Sequence, residues 1–94
     1  MLSKLPINLE KTDKNNIVKE ILRAGIIAEL DAISFYEQMA AMTENENIKK
    51  VLLDVASEEK EHVGEFETLL MREDKEQIEK SEEGKKEVEE MTGK

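Results

Sequence analysis

The chain has 94 residues, of which 38% are hydrophobic, 3% aromatic and none cysteine. One copy can therefore bury only a thin core, and disulfides and cysteine-based zinc or iron–sulfur sites are excluded. With 23 acidic residues against 14 basic ones and a formal charge of −9, the surface is unsuited to nucleic acid and compatible with attracting cations or with plain acidic solubility.

Residues 1–12 contain the one proline, Pro6, and read as an irregular N-terminal arm. The longest apolar run is too short to span a bilayer, and the arm carries no signal-peptide core. Asp13 is in position to cap a first helix, expected over residues 14–42, where apolar residues recur at helical spacing. Gly25 interrupts that helix at a cost of about 1 kcal/mol relative to alanine.

Thr43-Glu44-Asn45-Glu46 has the form of a capping box and predicts a second helix over residues 44–72. With almost no linker between them, two long helices must fold back as an antiparallel hairpin. Beyond residue 73 the composition turns to Glu and Lys with few apolar side chains. A short third helix is expected near residues 74–80, and residues 81–94 read as a charged linker or tail. The organisation expected is thus an arm (1–12), a helical hairpin with a short C-terminal helix (13–80) and the tail (81–94).

At about 100° per residue, Val18, Leu22, Gly25, Ile26, Glu29, Ile33, Tyr36 and Ala40 share one face of the first helix. Glu29 is the lone acid in that stripe. On the second helix Ile48, Val51, Leu52, Val55, Glu59, His62, Phe66 and Leu69 share a face centred on Glu59 and His62. Glu29 lies 14 residues before Thr43 and Glu59 lies 16 after it, so the two stand roughly 21 and 24 Å from the turn and should meet across the hairpin. His62 follows one turn on.

Two inward acids and the chain's one histidine need either each other or a cation, because an ionised carboxylate is seldom buried without a partner. A water-linked polar pair with a satisfied core histidine is one solution. A metal is the other, and the carboxylate–imidazole set suits iron or manganese, with zinc also possible. Glu-x-x-His is the motif of di-iron carboxylate bundles, which need four carboxylates and two histidines from four helices. One hairpin supplies half that set, and a two-fold homodimer would supply the rest.

The runs Glu29-Leu30-Asp31-Ala32-Ile33-Ser34-Phe35-Tyr36-Glu37-Gln38 and Glu58-Glu59-Lys60-Glu61-His62 closely resemble the encapsulated ferritins, ferritin-like proteins housed in encapsulin nanocompartments. The resemblance spans roughly residues 17–72. It implies a ring-shaped decamer built from homodimers, a di-iron centre shared between two chains with Glu29, Glu59 and His62 as iron ligands, and oxidation of Fe²⁺ to Fe³⁺ for storage in a cytoplasmic encapsulin shell. It also implies a tyrosine beside the centre, at Tyr36. Some members hold a second metal at an entry site formed by two acids flanking the Glu29 position. Asp31 matches one of these, and Ala28 stands where the other would be. An apolar encapsulation peptide is not visible after Gly84; either the chain is truncated, or the domain is one fused ahead of the shell protein, which the charged linker favours.

The expected fold is therefore all-α: an antiparallel two-helix hairpin, or half-ferritin, that dimerises into a four-helix bundle. The expected function is that of a ferroxidase. A non-catalytic metal-binding oligomerisation module and a di-iron peroxide reductase are the alternatives.

Overall fold

The computed structural model describes Lys14 and residues 16–94 as three helices: α1 (Ile17–Met42), α2 (Glu46–Glu73) and α3 (Lys75–Thr92). α1 and α2 form the antiparallel hairpin. Asp13 and the N-terminal arm fall outside the described residues. α1 begins after Asn16, whose side chain makes no capping hydrogen bond.

The tight turn is built differently from the capping box expected at Thr43. Thr43 closes α1, its N–H donating to the Met39 carbonyl at 3.2 Å. Its hydroxyl oxygen accepts from the Asn45 N–H at 3.2 Å. Asn45 is the cap of α2, its side-chain oxygen accepting from the N–H groups of Asn47 and Ile48 at 3.0 and 3.1 Å. The physical reason is length. Three residues are needed to reverse the chain, so α2 starts two residues later and Asn45, an equally good cap, takes the position.

Every buried apolar side chain among the described residues belongs to the hairpin: Leu22, Ala24, Ala32, Ile33 and Ala40 from α1, and Ala56, Val63 and Leu70 from α2. The α2 set repeats every seven residues, the spacing of a helix held against one partner along its length. Ala32 and Ala56, each three residues from Glu29 or Glu59 toward the turn, are 6% and 2% exposed, so small side chains let the two backbones approach there. No large side chain among the described residues is fully buried, in keeping with the thin core expected. Several residues of the stripes that carry Glu29, Glu59 and His62, namely Val18, Ile48, Val51 and Leu69, are exposed in the single chain, as are Ile21 and Phe35. Helical geometry puts all six on one side of the hairpin, beside the seam.

α3 leaves the open end of the hairpin, and the molecule is flat, 46 × 43 × 18 Å. One residue, Asp74, joins α2 to α3. It is 8% exposed. One of its oxygens caps α3 by accepting from the Gln77 N–H at 3.1 Å. The other accepts from the Arg23 guanidinium of α1, also at 3.1 Å.

The helix continues well past residue 80 and closes at Gly93, whose left-handed conformation (φ 82°) lets its N–H reach the Glu89 carbonyl at 2.8 Å. Residues 81–92 are thus helical where a charged linker was expected. Glu, Lys and Gln are good helix formers irrespective of burial, and local pairs such as Lys80–Glu83 at 3.1 Å add to the Asp74 cap. α3 contributes no buried residue.

Candidate metal centre

Glu29 on α1 and Glu59 and His62 on α2 converge across the seam. One donor atom from each lies within 4.8 Å of the other two. The His62 Nδ1 stands 3.5 Å from a Glu59 oxygen and 3.6 Å from Oε2 of Glu29. These separations are longer than hydrogen bonds. The matched depth of the two glutamates follows from their near-equal distance to the turn. His62 joins them because residues three apart on a helix share a face.

The carboxylates are mostly buried, with side chains 21% and 19% exposed, while the imidazole is 43% exposed. Oε2 of Glu29 is buried and accepts no hydrogen bond. Among the described residues no Lys or Arg pairs with Glu29 or Glu59; the cations Arg23, Lys60 and Lys80 are engaged with Glu20 and Asp74, Glu37 and Glu83 respectively. An anionic oxygen with neither a donor nor a counter-charge is costly. A divalent cation would relieve that cost, and two hard carboxylates with one imidazole are a donor set for iron, manganese or zinc. Three donors alone would not fill the coordination of such an ion.

The other two residues singled out in the sequence are not among the three clustered donors. Tyr36 is two turns, roughly 10 Å, along α1 from Glu29 on the same face. Its half-buried ring meets Phe35 edge-on at 5.3 Å. Asp31 is two positions after Glu29, which turns it to a different face of α1, and it does not join the three clustered ligands.

Two features near the centre were not anticipated. The Arg23–Asp74 pair ties α1 to the joint before α3. Gly25, one turn before Glu29, lies against the ring of Phe66, one turn after His62. The signal for the second was present, since a glycine inside a long helix often marks a close approach.

A family model described as Rubrerythrin matches residues 20–92. A ferritin-like–encapsulin shell fusion protein from Pyrococcus furiosus is 55% identical over 87 residues, which cover 93% of this chain and 25% of that protein. An encapsulin nanocompartment cargo protein from Myxococcus xanthus is 45% identical over 56 residues, covering 60% of this chain and 43% of that one. The chain thus spans a quarter of the first curated relative and less than half of the second. Among solved structures, the crystal structure of the encapsulated ferritin domain from Pyrococcus furiosus matches all of this chain and 98% of its own, with a TM-score of 0.86 and 53% identity.

Proposed function

The chain belongs to the rubrerythrin family of ferritin-like proteins, and on that premise we propose that it is a ferroxidase whose di-iron site is completed by a second copy of itself. The observation that carries this reading is the cluster of Glu29, Glu59 and His62, with a buried Glu29 oxygen that has no hydrogen-bond partner. One chain offers two carboxylates and one imidazole. Two chains related by a two-fold axis offer four and two, the set that binds two iron ions in ferritin-like bundles. The exposed apolar strip of Val18, Ile21, Phe35, Ile48, Val51 and Leu69 flanks the cluster. Burying it between two copies would supply the core that one copy lacks.

In this reading Fe²⁺ is the substrate. Each of two ions gives up one electron, and a two-electron acceptor such as dioxygen takes both. The carboxylates hold the two cations close together and offset their mutual repulsion, increasingly so as the ions become Fe³⁺. The imidazoles complete the binding and leave positions open to the oxidant. Dimers would assemble further into a decameric ring, and the product would be stored within a cytoplasmic encapsulin shell. The two relatives named for such compartments support this placement. The segment 81–94, helical as far as Thr92, would act as a tether to the shell, with no part in the chemistry.

A second reading has a specific observation in its favour. His62 stands almost equidistant from both carboxylates, so a protonated imidazole could hold them as a structural triad that sets the register of an oligomer without turnover. Aerobic Fe²⁺ oxidation, followed by ferric absorbance at two irons per dimer, separates the two. The ferroxidase reading requires oxidation well above the uncatalysed rate, with loss of that excess in His62→Ala. A His62→Ala protein oxidising at the wild-type rate would overturn it.

A further inference from the structure

Gly25 sits in the interior of α1, where glycine costs about 1 kcal/mol relative to alanine. A Cβ placed on it would lie 3.2 Å from Cδ2 and Cε2 of Phe66 and 3.4 Å from Cγ, tighter than ordinary carbon–carbon contact. Gly64 and Gly84, also within helices, have nothing within 4 Å of such a Cβ. Gly25 is therefore distinguished by what it touches. The edge of an aromatic ring occupies the space its side chain would take.

The place of this contact matters. Gly25 is four residues before Glu29 and Phe66 four after His62, so glycine and ring meet about 6 Å along the hairpin from the metal ligands, on the side away from the turn. On the other side Ala32, three residues after Glu29, and Ala56, three before Glu59, are buried at 6% and 2% exposure, and such small side chains let the backbones come together. The ligands thus lie between two points at which the helix separation is set by packing. The Glu29-to-His62 gap spans that separation directly, because the two residues sit on different helices.

We infer that Gly25 and Phe66 form a spacer that sets the distance between α1 and α2 at the metal centre, making both positioning residues for metal binding. The inference rests on the reading that Glu29, Glu59 and His62 bind metal. A methyl group at residue 25 must displace the ring or the helix by a few tenths of an ångström, and a metal site tolerates little more than that in its ligands. The residue pair, not either member alone, fixes the gap, so shrinking the ring should compensate for enlarging the glycine.

The test uses the full chain, with Co²⁺ titrated calorimetrically under anaerobic conditions, thermal melting of the metal-free protein, and Fe²⁺ oxidation as a second readout. Gly25→Ala is expected to melt at or above the wild-type temperature, since helix propensity improves, yet to bind Co²⁺ roughly tenfold more weakly. Its oxidation rate at saturating Fe²⁺ should fall as well. Phe66→Leu alone should also weaken binding, and Gly25→Ala/Phe66→Leu should return to within about threefold of wild type, an interaction that independent sites do not show. Gly64→Ala, with the same helix gain away from the site, should bind as wild type.

Wild-type Co²⁺ affinity in Gly25→Ala, or additive losses in the double variant, would overturn the spacer while leaving the metal centre standing. Absence of Co²⁺ binding by the wild-type protein would overturn both. Should Gly25→Ala fail to fold, Phe66→Leu decides alone, and unchanged affinity in it refutes the inference.

Discussion

Nδ1 of His62 lies 3.6 Å from Oε2 of Glu29, across the seam between two helices, and that oxygen is buried without a hydrogen bond. The contact is too long for a hydrogen bond. Glu29→Gln keeps the shape of the side chain while removing its charge. Expected outcomes are loss of most Fe²⁺ oxidation and, because fewer like charges converge, a tighter dimer in the absence of metal. Sedimentation of the metal-free protein beside an oxidation assay checks both. A dimer no tighter than wild type would mean that carboxylate repulsion does not oppose assembly.

Metal should drive association in the wild-type protein. In the proposed dimer four carboxylates would meet at one interface, repelling when empty and attracting once cations are bound, and anything that binds the assembled form stabilises it by mass action. At a concentration where free subunits are populated, anaerobic Fe²⁺ should shift the mass distribution toward dimers and rings. Native mass spectrometry reads this directly. His62→Ala should blunt the shift.

Much of the cluster of Glu29, Glu59 and His62 is legible in the sequence. The depths of Glu29 and Glu59 could be counted from Thr43, and periodicity turned both inward. Four things are hidden there for physical reasons. Thr43 and Asn45 are both good caps, and only the chain length needed to reverse direction selects Asn45. Residues 81–92 carry a Glu- and Lys-rich composition that suits a solvated helix as well as a disordered tail, so composition alone does not choose. Gly25 shows its cost locally, while its use depends on Phe66, 41 positions away in sequence. Val18, Val51 and Leu69 belong to the ligand-bearing stripe by periodicity, yet one neighbouring helix is too narrow to cover so wide a stripe, and they remain exposed.

The joint at Asp74 predicts a separable pair of effects. Asp74→Ala removes both the α3 cap and the partner of Arg23, and the cap alone is worth about 1 kcal/mol. Asp74→Asn keeps a capping oxygen and loses the charge. Limited proteolysis near residues 74–78 should accelerate strongly for Ala and less for Asn, with Fe²⁺ oxidation unchanged in both. Equal cleavage rates in the two variants would show that the ion pair, not the cap, orients α3.

Cutting the chain after Lys80 removes most of α3, which carries no buried residue and lies outside the metal cluster. The shortened protein should oxidise iron at the full rate per site and lose helical circular-dichroism signal in proportion to the residues removed. Loss of the dimer or of turnover would make the segment part of the catalytic assembly and defeat its reading as a tether.

Because α3 contributes no buried residue, the chain should behave as two cooperative units. Amide hydrogens in α3 should exchange with solvent through local opening, at rates indifferent to metal, while those facing the α1–α2 seam gain protection when cations bind. A heat scan would then return a van't Hoff enthalpy below the calorimetric one, so no single unfolding free energy describes the molecule.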